Sequence, residues 1–480
     1  MTFGEKPKTA RFPLVIFALA FVGCLGIGYA AWSGAQVGGP PDIVVDAPAA
    51  VGARAAFAVI VTEPVRGIVD VVVTLEGAGL SLHTIGEVHL PPPASARAAP
   101  TQTEARIDIV IGKSVQPTLS EGTLKLTVTA TRVSTWWQKP EPVRVEKTIL
   151  VTLTPPTVTP LSSFVHIAQG GSEVIVYEVG PTSTNDGVTV ARAAIKDGAP
   201  WVFRGSPIPG GPPTRHFALF ALPFDDVGPE ADVKAHVLLF AEDKLGNRST
   251  APFVHKYLPR PMGTDTIELK DPFLAKVTAE IFPQTPTLTR TGVLLDDYLV
   301  LNRALRVTNN AALVELAQRS QPQFLWKAAF QPFGDAAIKG AFADRRTYTR
   351  DGAAVDTQDH LGFDLARVER SPVNAGNDGV TALAGYFGIY GNCVVIDHGF
   401  GLMTLYAHLS AIHVKAGDAV TRGQTLGLTG ASGLAGGDHL HFTTLVGGYA
   451  VNPIEWWDGH WIKDRIALKL GDVLPFVDVK

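Results

Sequence analysis

The stretch Gly437–Thr443 has the sequence GDHLHFT and places two histidines two residues apart. If this stretch is a β-strand, His439 and His441 point to the same face, with their Cα atoms about 6.6 Å apart. Leu440 and Phe442 then point the other way, into a core. The two imidazoles can therefore serve one cavity, one as a metal ligand and the other beside a water or substrate. The stretch predicts a strand that carries a chemical site on one face.

A second pair of donor side chains lies upstream, in the stretch HLGFD at His360–Asp364. An imidazole and a carboxylate four residues apart, joined by one of the two downstream histidines, make a three-ligand site with an open fourth position. This is the composition of catalytic zinc sites, where the open position holds a water whose pKa falls towards about 7. His408 supplies another imidazole between the two motifs. The pattern predicts a zinc site.

Four further runs surround these residues. They are Tyr390–Gly399 (YGNCVVIDHG), Tyr406–Ser410 (YAHLS), Val414–Val420 (VKAGDAV) and Gly423–Gly427 (GQTLG). Together with His360-x-Gly-x-Asp364 and His439-Leu-His-Phe442, they resemble the LytM/lysostaphin-type zinc metallopeptidases, the peptidoglycan endopeptidases of the duplicated-hybrid-motif family. The resemblance covers about residues 345–455, a quarter of the chain.

The resemblance implies a compact antiparallel β domain with an open groove, one bound Zn²⁺ and hydrolysis of peptide cross-links in peptidoglycan. It implies that His360, Asp364 and His441 are the zinc ligands. It also implies that His439 is the general base and that His408 orients or stabilises the tetrahedral intermediate. The sequence leaves open which of these last two histidines does which job, and whether the cleaved bond lies in a stem peptide or in a bridge peptide.

The sequence departs from the usual family pattern at three places. Thr443 stands where the family often has glutamate, and Asp438 stands where it often has proline. If Asp438 lies close to His439, its carboxylate would raise the pKa of that imidazole. Arg370–Val373 replaces a familiar Gly-Thr-Pro-Val step. These changes concern rate and substrate preference, because all five site positions are present.

Two alternative functions use the same domain. A catalytically silent envelope scaffold or amidase activator would use the groove for binding alone. An iron oxygenase would use two histidines and one carboxylate as its ligands. The two additional histidines and an N-terminal export signal argue against the oxygenase, and the complete set of site residues favours an active enzyme.

The export signal is the N-terminal run Phe12–Trp32, which contains 21 residues without a charge. As a helix it would be about 31 Å long, enough to cross a bilayer core of about 30 Å. Lys6, Lys8 and Arg11 precede it, so the positive-inside rule predicts a single-pass anchor in the cell inner membrane with the rest of the chain in the periplasm. A cleaved signal peptide and a lipoprotein cleaved at Cys24 are the alternatives. All three export the chain.

The pattern along the rest of the chain predicts a mainly β protein. Residues 1–36 are the cytoplasmic tip and anchor. Residues 37–155 and 156–260 are two immunoglobulin-like β-sandwich modules, with strand-like runs such as Ala55–Thr62, Leu124–Thr131 and Val233–Ala241. Residues 261–345 form a short helical connector, with Asp271 as N-cap and Pro272 in the first turn. Residues 346–480 form the peptidase domain with a C-terminal extension, and Arg350–Ala353 near its start is predicted to be a hairpin turn.

Composition limits the partners. Of 480 residues, 46% are hydrophobic and 18% charged, which excludes a disordered chain. The net charge of −4 gives no basic field for nucleic acid, and two cysteines, Cys24 and Cys393, exclude a disulfide framework. The expected partners are peptidoglycan stem or bridge peptides, the inner membrane through the N-terminal helix, and an envelope protein that binds the β modules. The sequence leaves open whether residues 261–345 cover the groove as an inhibitory segment.

Overall fold

The computed structural model describes residues 12–35, 39–91, 102–135, 138–191, 199–225 and 228–477. The N-terminal uncharged run forms helix α1, Phe12–Ala35. Within the described part of the chain, none of the helices is both long and apolar enough to cross a membrane. Lys6, Lys8 and Arg11, on which the predicted orientation of the anchor rests, lie outside the described residues. The chain divides into two compact units, residues 1–154 with 244–247, and residues 155–243 with 248–480.

The first unit contains two β-sheets. Its strands are β1 (Asp42–Val45), β2 (Ala50–Val51), β3 (Ala55–Thr62), β4 (Ile68–Gly77), β5 (Leu80–His89), β6 (Glu104–Ile111), β7 (Gly122–Arg132) and β8 (Val143–Val151). The sheet orders are β1-β3-β6 and β2-β8-β7-β4-β5, and the inward side chains of both sheets form one hydrophobic core. In β7 the buried Leu124, Leu126, Val128 and Ala130 alternate with more exposed residues, as the sequence predicts. The immunoglobulin-like character of this module stays a prediction.

The second unit begins with a pair of four-stranded sheets. Its elements to residue 260 are β9 (Val158–Pro160), β10 (His166–Ala168), β11 (Ser172–Val179), β12 (Ser183–Val190), β13 (Trp201–Arg204), β14 (Ser206–Pro207), β15 (Arg215–Ala221), α2 (Glu230–His236), β16 (Val237–Asp243), β17 (Arg248–Pro252) and β18 (Lys256–Leu258). The sheet orders are β14-β15-β11-β9 and β13-β12-β16-β17, with β10 and β18 as a parallel pair.

Helix α2 differs from the expectation, because the sequence predicts one strand over Val233–Ala241. The strand begins only at Val237, and the residues before it are helical. Acidic Glu230 and Asp232 lie in the first turn and basic residues lie in the last turn, the arrangement that the helix dipole favours.

The next segment contains one strand, then a group of helices, then two further strands. They are β19 (Thr264–Glu268), α3 (Asp271–Gln284), α4 (Leu294–Val300), a π-helical turn (Leu301–Leu305), α5 (Arg306–Ala317), β20 (Ala337–Gly340) and β21 (Asp344–Arg350). The predicted helix at Asp271 is present, but its N-cap is Lys270 and Asp271 is the first helical residue. Strand β19 pairs in parallel with β21, so residues 261–345 contribute strands as well as helices to the C-terminal half of the chain.

The C-terminal domain is an antiparallel β structure, as the sequence predicts. Its elements are β22 (Ala353–His360), β23 (Phe363–Ala366), β24 (Pro372–Asn374), β25 (Gly379–Tyr386), a 3-10 turn (Gly388–Tyr390), β26 (Asn392–Gly399), β27 (Leu402–Ala407), β28 (Ala411–Ile412), β29 (Ala419–Val420), β30 (Thr425–Leu428), β31 (Leu440–Val446), β32 (Tyr449–Val451), α6 (Pro453–Trp457), α7 (Gly459–Ile462), a π-helical turn (Lys463–Ala467), α8 (Leu468–Leu470) and a 3-10 turn (Gly471–Val473). The main sheet has the order β20-β23-β31-β27-β26-β25-β29, with β32 paired to β31.

The helices α3 to α5 cover one face of this main sheet. Apolar residues of the helices, such as Val277, Ile281 and Leu305, share one core with Val395 and Leu405 of the sheet. The predicted turn at Asp351 and Gly352 joins β21 to β22, and both residues have positive φ, 50° and 77°. This is the backbone of a tight hairpin, which Asp-Gly adopts readily.

The C-terminal helices pack on the second β module within the same unit. Trp456, Ile462 and Ile466 belong to the same hydrophobic core as strands β11 and β15. The fully buried Glu173 of β11 accepts a hydrogen bond from Lys469 Nζ at 2.8 Å. The second module and the C-terminal domain are therefore one packed body.

Candidate metal centre and groove

Three strands from two sheets place the candidate ligands. His360 ends β22, Asp364 lies in β23, and His441 lies in β31 directly opposite Asp364 in the antiparallel register. Gly362 lies between the first two residues. A Cβ atom at Gly362 would lie 2.6 Å from Thr443 Oγ1 and 2.7 Å from His441 Nε2, so this position requires glycine. The glycine of the His-x-Gly-x-Asp stretch thus lets β31 pack closely against the backbone between His360 and Asp364.

The three candidate ligands meet at one point. Asp364 Oδ1 lies 2.9 Å from His360 Nε2 and 2.9 Å from His441 Nδ1. The two imidazole nitrogens lie 3.1 Å apart. These residues are nearly inaccessible, with relative exposures of 5%, 8% and 6% for His360, Asp364 and His441. The structure therefore brings the predicted N/N/O set together in a buried position, and these residues could hold a metal ion.

The hydrogen bonds on the outer sides of the two rings fix their tautomers. His360 Nδ1–H donates to the Ala341 carbonyl at 2.9 Å. The Thr443 hydroxyl donates to the Leu361 carbonyl at 2.8 Å, so its oxygen accepts from His441 Nε2–H at 3.1 Å. The lone pairs of His360 Nε2 and His441 Nδ1 are therefore left to face the carboxylate.

This donor set fits zinc. Two imidazole lone pairs and a carboxylate oxygen that face each other at about 3 Å repel one another unless a cation lies between them. Zinc bonds of about 2.0–2.1 Å in tetrahedral geometry would separate these donors by about 3.3 Å, close to the observed spacing. Outer hydrogen bonds that fix the tautomer of each ring are a regular feature of metal-binding histidines.

Arg346 of β21 holds the other oxygen of the carboxylate. Its Nη2 donates to Asp364 Oδ2 at 2.7 Å. Burial raises the pKa of Asp364, but the contacts of its carboxylate with His360, His439 and His441 outweigh burial, so this pKa lies well below its usual value. The carboxylate is thus ionised and ready to bind a cation. Arg346 is absent from the site residues that the sequence predicts, because no motif near it indicates that its side chain reaches the site.

His439 and His408 lie beside the three candidate ligands. His439 Nδ1–H donates to the Gly437 carbonyl at 2.8 Å, and its Nε2 lies 3.4 Å from Asp364 Oδ1. His408 Nδ1–H donates to the Ser432 carbonyl at 2.8 Å. The centres of these two rings are 4.9 Å apart. In both rings the backbone thus takes the Nδ1 proton, which leaves Nε2 as the atom that can exchange a proton inside the groove.

The environments of the two rings push their pKa values in opposite directions. Burial lowers the pKa of His439, but the Asp364 carboxylate more than offsets this, so the pKa is raised. Burial lowers the pKa of His408 well below its ordinary value. Asp438, which the sequence suggested would raise the pKa of His439, instead accepts a hydrogen bond from the Arg370 backbone N–H at 3.2 Å. The raising group is Asp364.

The five residues open into a cavity of about 420 Å³. Its far wall comes from residues 261–345 and includes Lys270, Phe273 and Tyr298, while Lys339 and Arg346 lie on strands β20 and β21. Within the described part of the chain, the Nζ atoms of Lys270 and Lys339 have no hydrogen-bond or ion-pair partner. The groove therefore places unpaired cations beside the donor cluster.

His398 of the Ile-Asp-His-Gly stretch lies outside the groove. It is buried, its Nδ1–H donates to the Asp378 carbonyl at 2.7 Å, and its Nε2 accepts from the Thr404 hydroxyl at 2.8 Å. Burial lowers its pKa to about 4, so the ring is neutral. It is a structural residue of the sheet.

Known proteins resemble this part of the chain. Residues 358–453 match peptidase family M23. Over 95 residues the chain is 43% identical to the DD-carboxypeptidase/endopeptidase Mpg of Neisseria meningitidis serogroup B, covering 20% of this chain and 22% of that protein. Over 96 residues it is 44% identical to the peptidoglycan DD-endopeptidase ShyA of Vibrio cholerae serotype O1, again covering 20% and 22%. The chain thus spans 22% of the length of these curated relatives.

Among solved structures, the catalytic domain of lysostaphin from Staphylococcus simulans is 25% identical and covers 30% of this chain and 96% of that one, with a TM-score of 0.20. The family match confirms the resemblance that the sequence motifs indicate.

Proposed function

We propose that the peptidase family M23 domain at the C-terminal end of this chain is a zinc-dependent endopeptidase that hydrolyses peptide cross-links of peptidoglycan. The observation that carries the proposal is the meeting of His360 Nε2, Asp364 Oδ1 and His441 Nδ1 within 3.1 Å of one another. Two further imidazoles, His408 and His439, line the same cavity. The names of the relatives Mpg and ShyA support peptidoglycan as the substrate.

His360, Asp364 and His441 would hold a zinc ion, which would supply Lewis-acid chemistry at a peptide carbonyl and at a water molecule. The chain supplies the proton transfers. His439 is the general base, because its Nε2 lies 3.4 Å from the same carboxylate oxygen that faces the two ligand histidines. The proton that it accepts can then pass to the leaving amine.

His408 orients the tetrahedral intermediate. With its Nδ1 proton held by the Ser432 carbonyl, the ring presents Nε2 to the groove. Because burial lowers the pKa of this ring, Nε2 carries a lone pair. This lone pair would accept a hydrogen bond from the hydroxyl that the attacking water leaves on the tetrahedral intermediate.

The cations of the groove favour a peptide that carries a free carboxylate near the scissile bond. Lys270 and Lys339 line the cavity, and the Nε atom of Arg346 is buried without a partner among the described residues. Peptidoglycan stem peptides are rich in free carboxylates. Amidation of such a carboxylate should therefore raise KM, and Lys339→Met should remove that preference.

We also propose that the N-terminal run tethers the enzyme to the inner membrane with the catalytic domain in the periplasm. The uncharged Phe12–Trp32 run and the preceding lysines and arginine support this. Tethering would supply local concentration at the wall. The two β modules are candidates for binding an envelope protein. Alkaline carbonate extraction of membranes tests the anchor, and release of the intact chain into the soluble fraction contradicts it.

The full chain, purified in detergent and loaded with zinc, tests the catalytic proposal. We expect it to convert cross-linked muropeptide dimers into monomers and to stop when a chelator is added. His439→Ala is the matched inactive form. Intact dimers after zinc loading would instead favour a silent scaffold or an amidase activator.

A further inference from the structure

The loop between β30 and β31 approaches the groove and is fastened from outside by helix α3. Lys276 Nζ donates to the Ala431 carbonyl at 2.5 Å and to the Ala435 carbonyl at 2.9 Å. Glu280 Oε1 accepts from the Gly433 backbone N–H at 2.5 Å. Lys276 and Glu280 are one helical turn apart, so they lie on the same face of α3. We call these two residues the α3 clamp.

The loop that the clamp holds carries the partner of His408. The Ser432 carbonyl, which accepts the Nδ1 proton of His408, lies between the two residues whose carbonyls bind Lys276 and next to Gly433. The same loop supplies Leu434, Ala435 and Gly436 to the wall of the cavity. A shift of this loop would therefore change both the orientation of the His408 ring and the shape of the groove.

His408 depends on such external support because its backbone is strained. Its φ is +62°, in the left-handed region, which costs a residue with a Cβ about 1 kcal/mol. Two contacts hold it: the backbone N–H donates to the Tyr390 carbonyl at 2.9 Å, and Nδ1–H donates to Ser432. Leu434 N–H also donates to the Ile389 carbonyl at 2.8 Å, which ties the loop to the turn that contains Tyr390.

Helix α3 is a rigid support for this clamp. Its buried face, Leu274, Val277 and Ile281, packs in the core that it shares with the main sheet. The helix, Asp271–Gln284, lies outside residues 358–453, which match the peptidase family. The clamp therefore belongs to this chain's own preceding segment.

We propose that Lys276 and Glu280 are positioning residues of the peptidase site, which act through the 431–435 loop to hold His408 in its working orientation. The expected effect on turnover rests on the proposed peptidase function. On this basis helix α3, in the segment 261–345, is a required part of the site.

The double variant Lys276→Met/Glu280→Gln tests the proposal in the full chain. Misplacement of a catalytic group typically reduces turnover much more than binding. We expect kcat to fall about tenfold while KM stays within twofold and zinc content stays at one per chain. The single variant Lys276→Arg keeps a donor on a long side chain, so its kcat should lie close to that of the wild type. Lys327→Met/Glu315→Gln, two exposed residues away from the loop and the cavity, is the control and should match the wild type.

Two activity-free measurements separate this proposal from the proposed function. Hydrogen exchange of residues 430–437 should become faster in the clamp variant. ¹⁵N NMR of histidine-labelled, zinc-loaded protein should show that His408 loses its single Nδ1–H tautomer. If exchange is faster while the tautomer and kcat are unchanged, the clamp only stabilises the loop, and the proposal is wrong. If the wild type cleaves no substrate, the proposed function fails, and the tautomer alone decides whether the clamp positions His408.

Discussion

His441 and Thr443, two residues apart on β31, share a hydrogen bond in which the ring Nε2–H donates to Thr443 Oγ1 at 3.1 Å. The hydroxyl in turn donates to the Leu361 carbonyl, in the stretch that joins His360 to Asp364. The threonine that stands where the family often has glutamate therefore links His441 to the backbone between the other two candidate ligands. It fixes which nitrogen of His441 is available to a metal.

Thr443→Val should weaken zinc binding about 10–100-fold, the usual effect of losing an outer hydrogen bond to a ligand histidine. Competition with a calibrated chelator measures this affinity without reference to activity. Thr444→Val is the matched control, because the neighbouring Thr444 is equally buried and its hydroxyl has no partner among the described residues. Equal affinities in the two variants would show that the hydroxyl of Thr443 does not orient His441.

The ligand and base assignments predict different losses. His360→Ala and Asp364→Ala should lose zinc, because each removes one of three donors from a buried site. His439→Ala should keep zinc and lose about 10²–10⁴-fold in kcat, as loss of a general base does. Metal analysis and turnover are measured on the same preparations. Zinc loss in all three variants would contradict the division between ligands and base.

Gly362→Ala should disrupt the site by forcing the backbone between His360 and Asp364 away from β31. The added Cβ would lie 2.6 Å from the Phe442 carbonyl and 2.6 Å from Thr443 Oγ1, so the chain must shift. Overpacking of this kind costs about 1–3 kcal/mol, and the shift should also lower zinc affinity. Gly436→Ala is the control, since a Cβ at Gly436 meets nothing within 4 Å. Urea unfolding and metal titration compare the two, and equal results would mean that the close approach of β31 is not required.

The buried carboxylate of Asp297 in α4 is expected to stabilise the folded chain in a way that acid removes. Burial raises the pKa of Asp297. Hydrogen bonds from Arg290 Nε and from the backbone and hydroxyl of Thr291 lower this pKa by more than burial raises it, so the pKa in the folded chain lies below that in the unfolded chain. The stabilisation is therefore present above about pH 4 and is lost as the pH falls through the acid range.

Asp297→Asn should reduce the free energy of unfolding by about 2 kcal/mol at pH 7, with the difference from wild type narrowing as the pH falls below about 4. Urea titrations at several pH values measure it. Asp296→Asn is the neighbouring, more accessible control. A difference that stays constant from pH 7 to pH 3 would show that the ionised carboxylate is not the stabilising species.

Much of the fold could be predicted because local periodicity and tertiary burial agree. Strand β3 has the predicted bounds, Ala55–Thr62, and β7 has the predicted alternation. Helix α2 was not predicted, because the hydrophobic pattern of this stretch favours a strand. The sequence feature that is typical of a helix here is the acidic residues in its first turn and the basic residues in its last turn. Where the two signals disagree, the hydrophobic pattern alone is an insufficient guide.

The five candidate site residues could all be recognised from motifs, but the residues that support them could not. Thr443 could have been found, because in a strand it shares a face with His441. Arg346, Lys276 and Ser432 could not, since their contacts join strands and helices that are distant in the sequence. Their roles depend on the packing of β21, α3 and the 431–435 loop around the groove.

The shared core beneath α3 to α5 has a practical consequence for recombinant work. A fragment that starts at residue 346, where the motif pattern sets the domain boundary, lacks the helices that cover Val395, Met403 and Leu405. That bare apolar sheet face would be prone to aggregation in an expression host. Soluble material is therefore expected from fragments that begin near Pro155, at the start of the second unit.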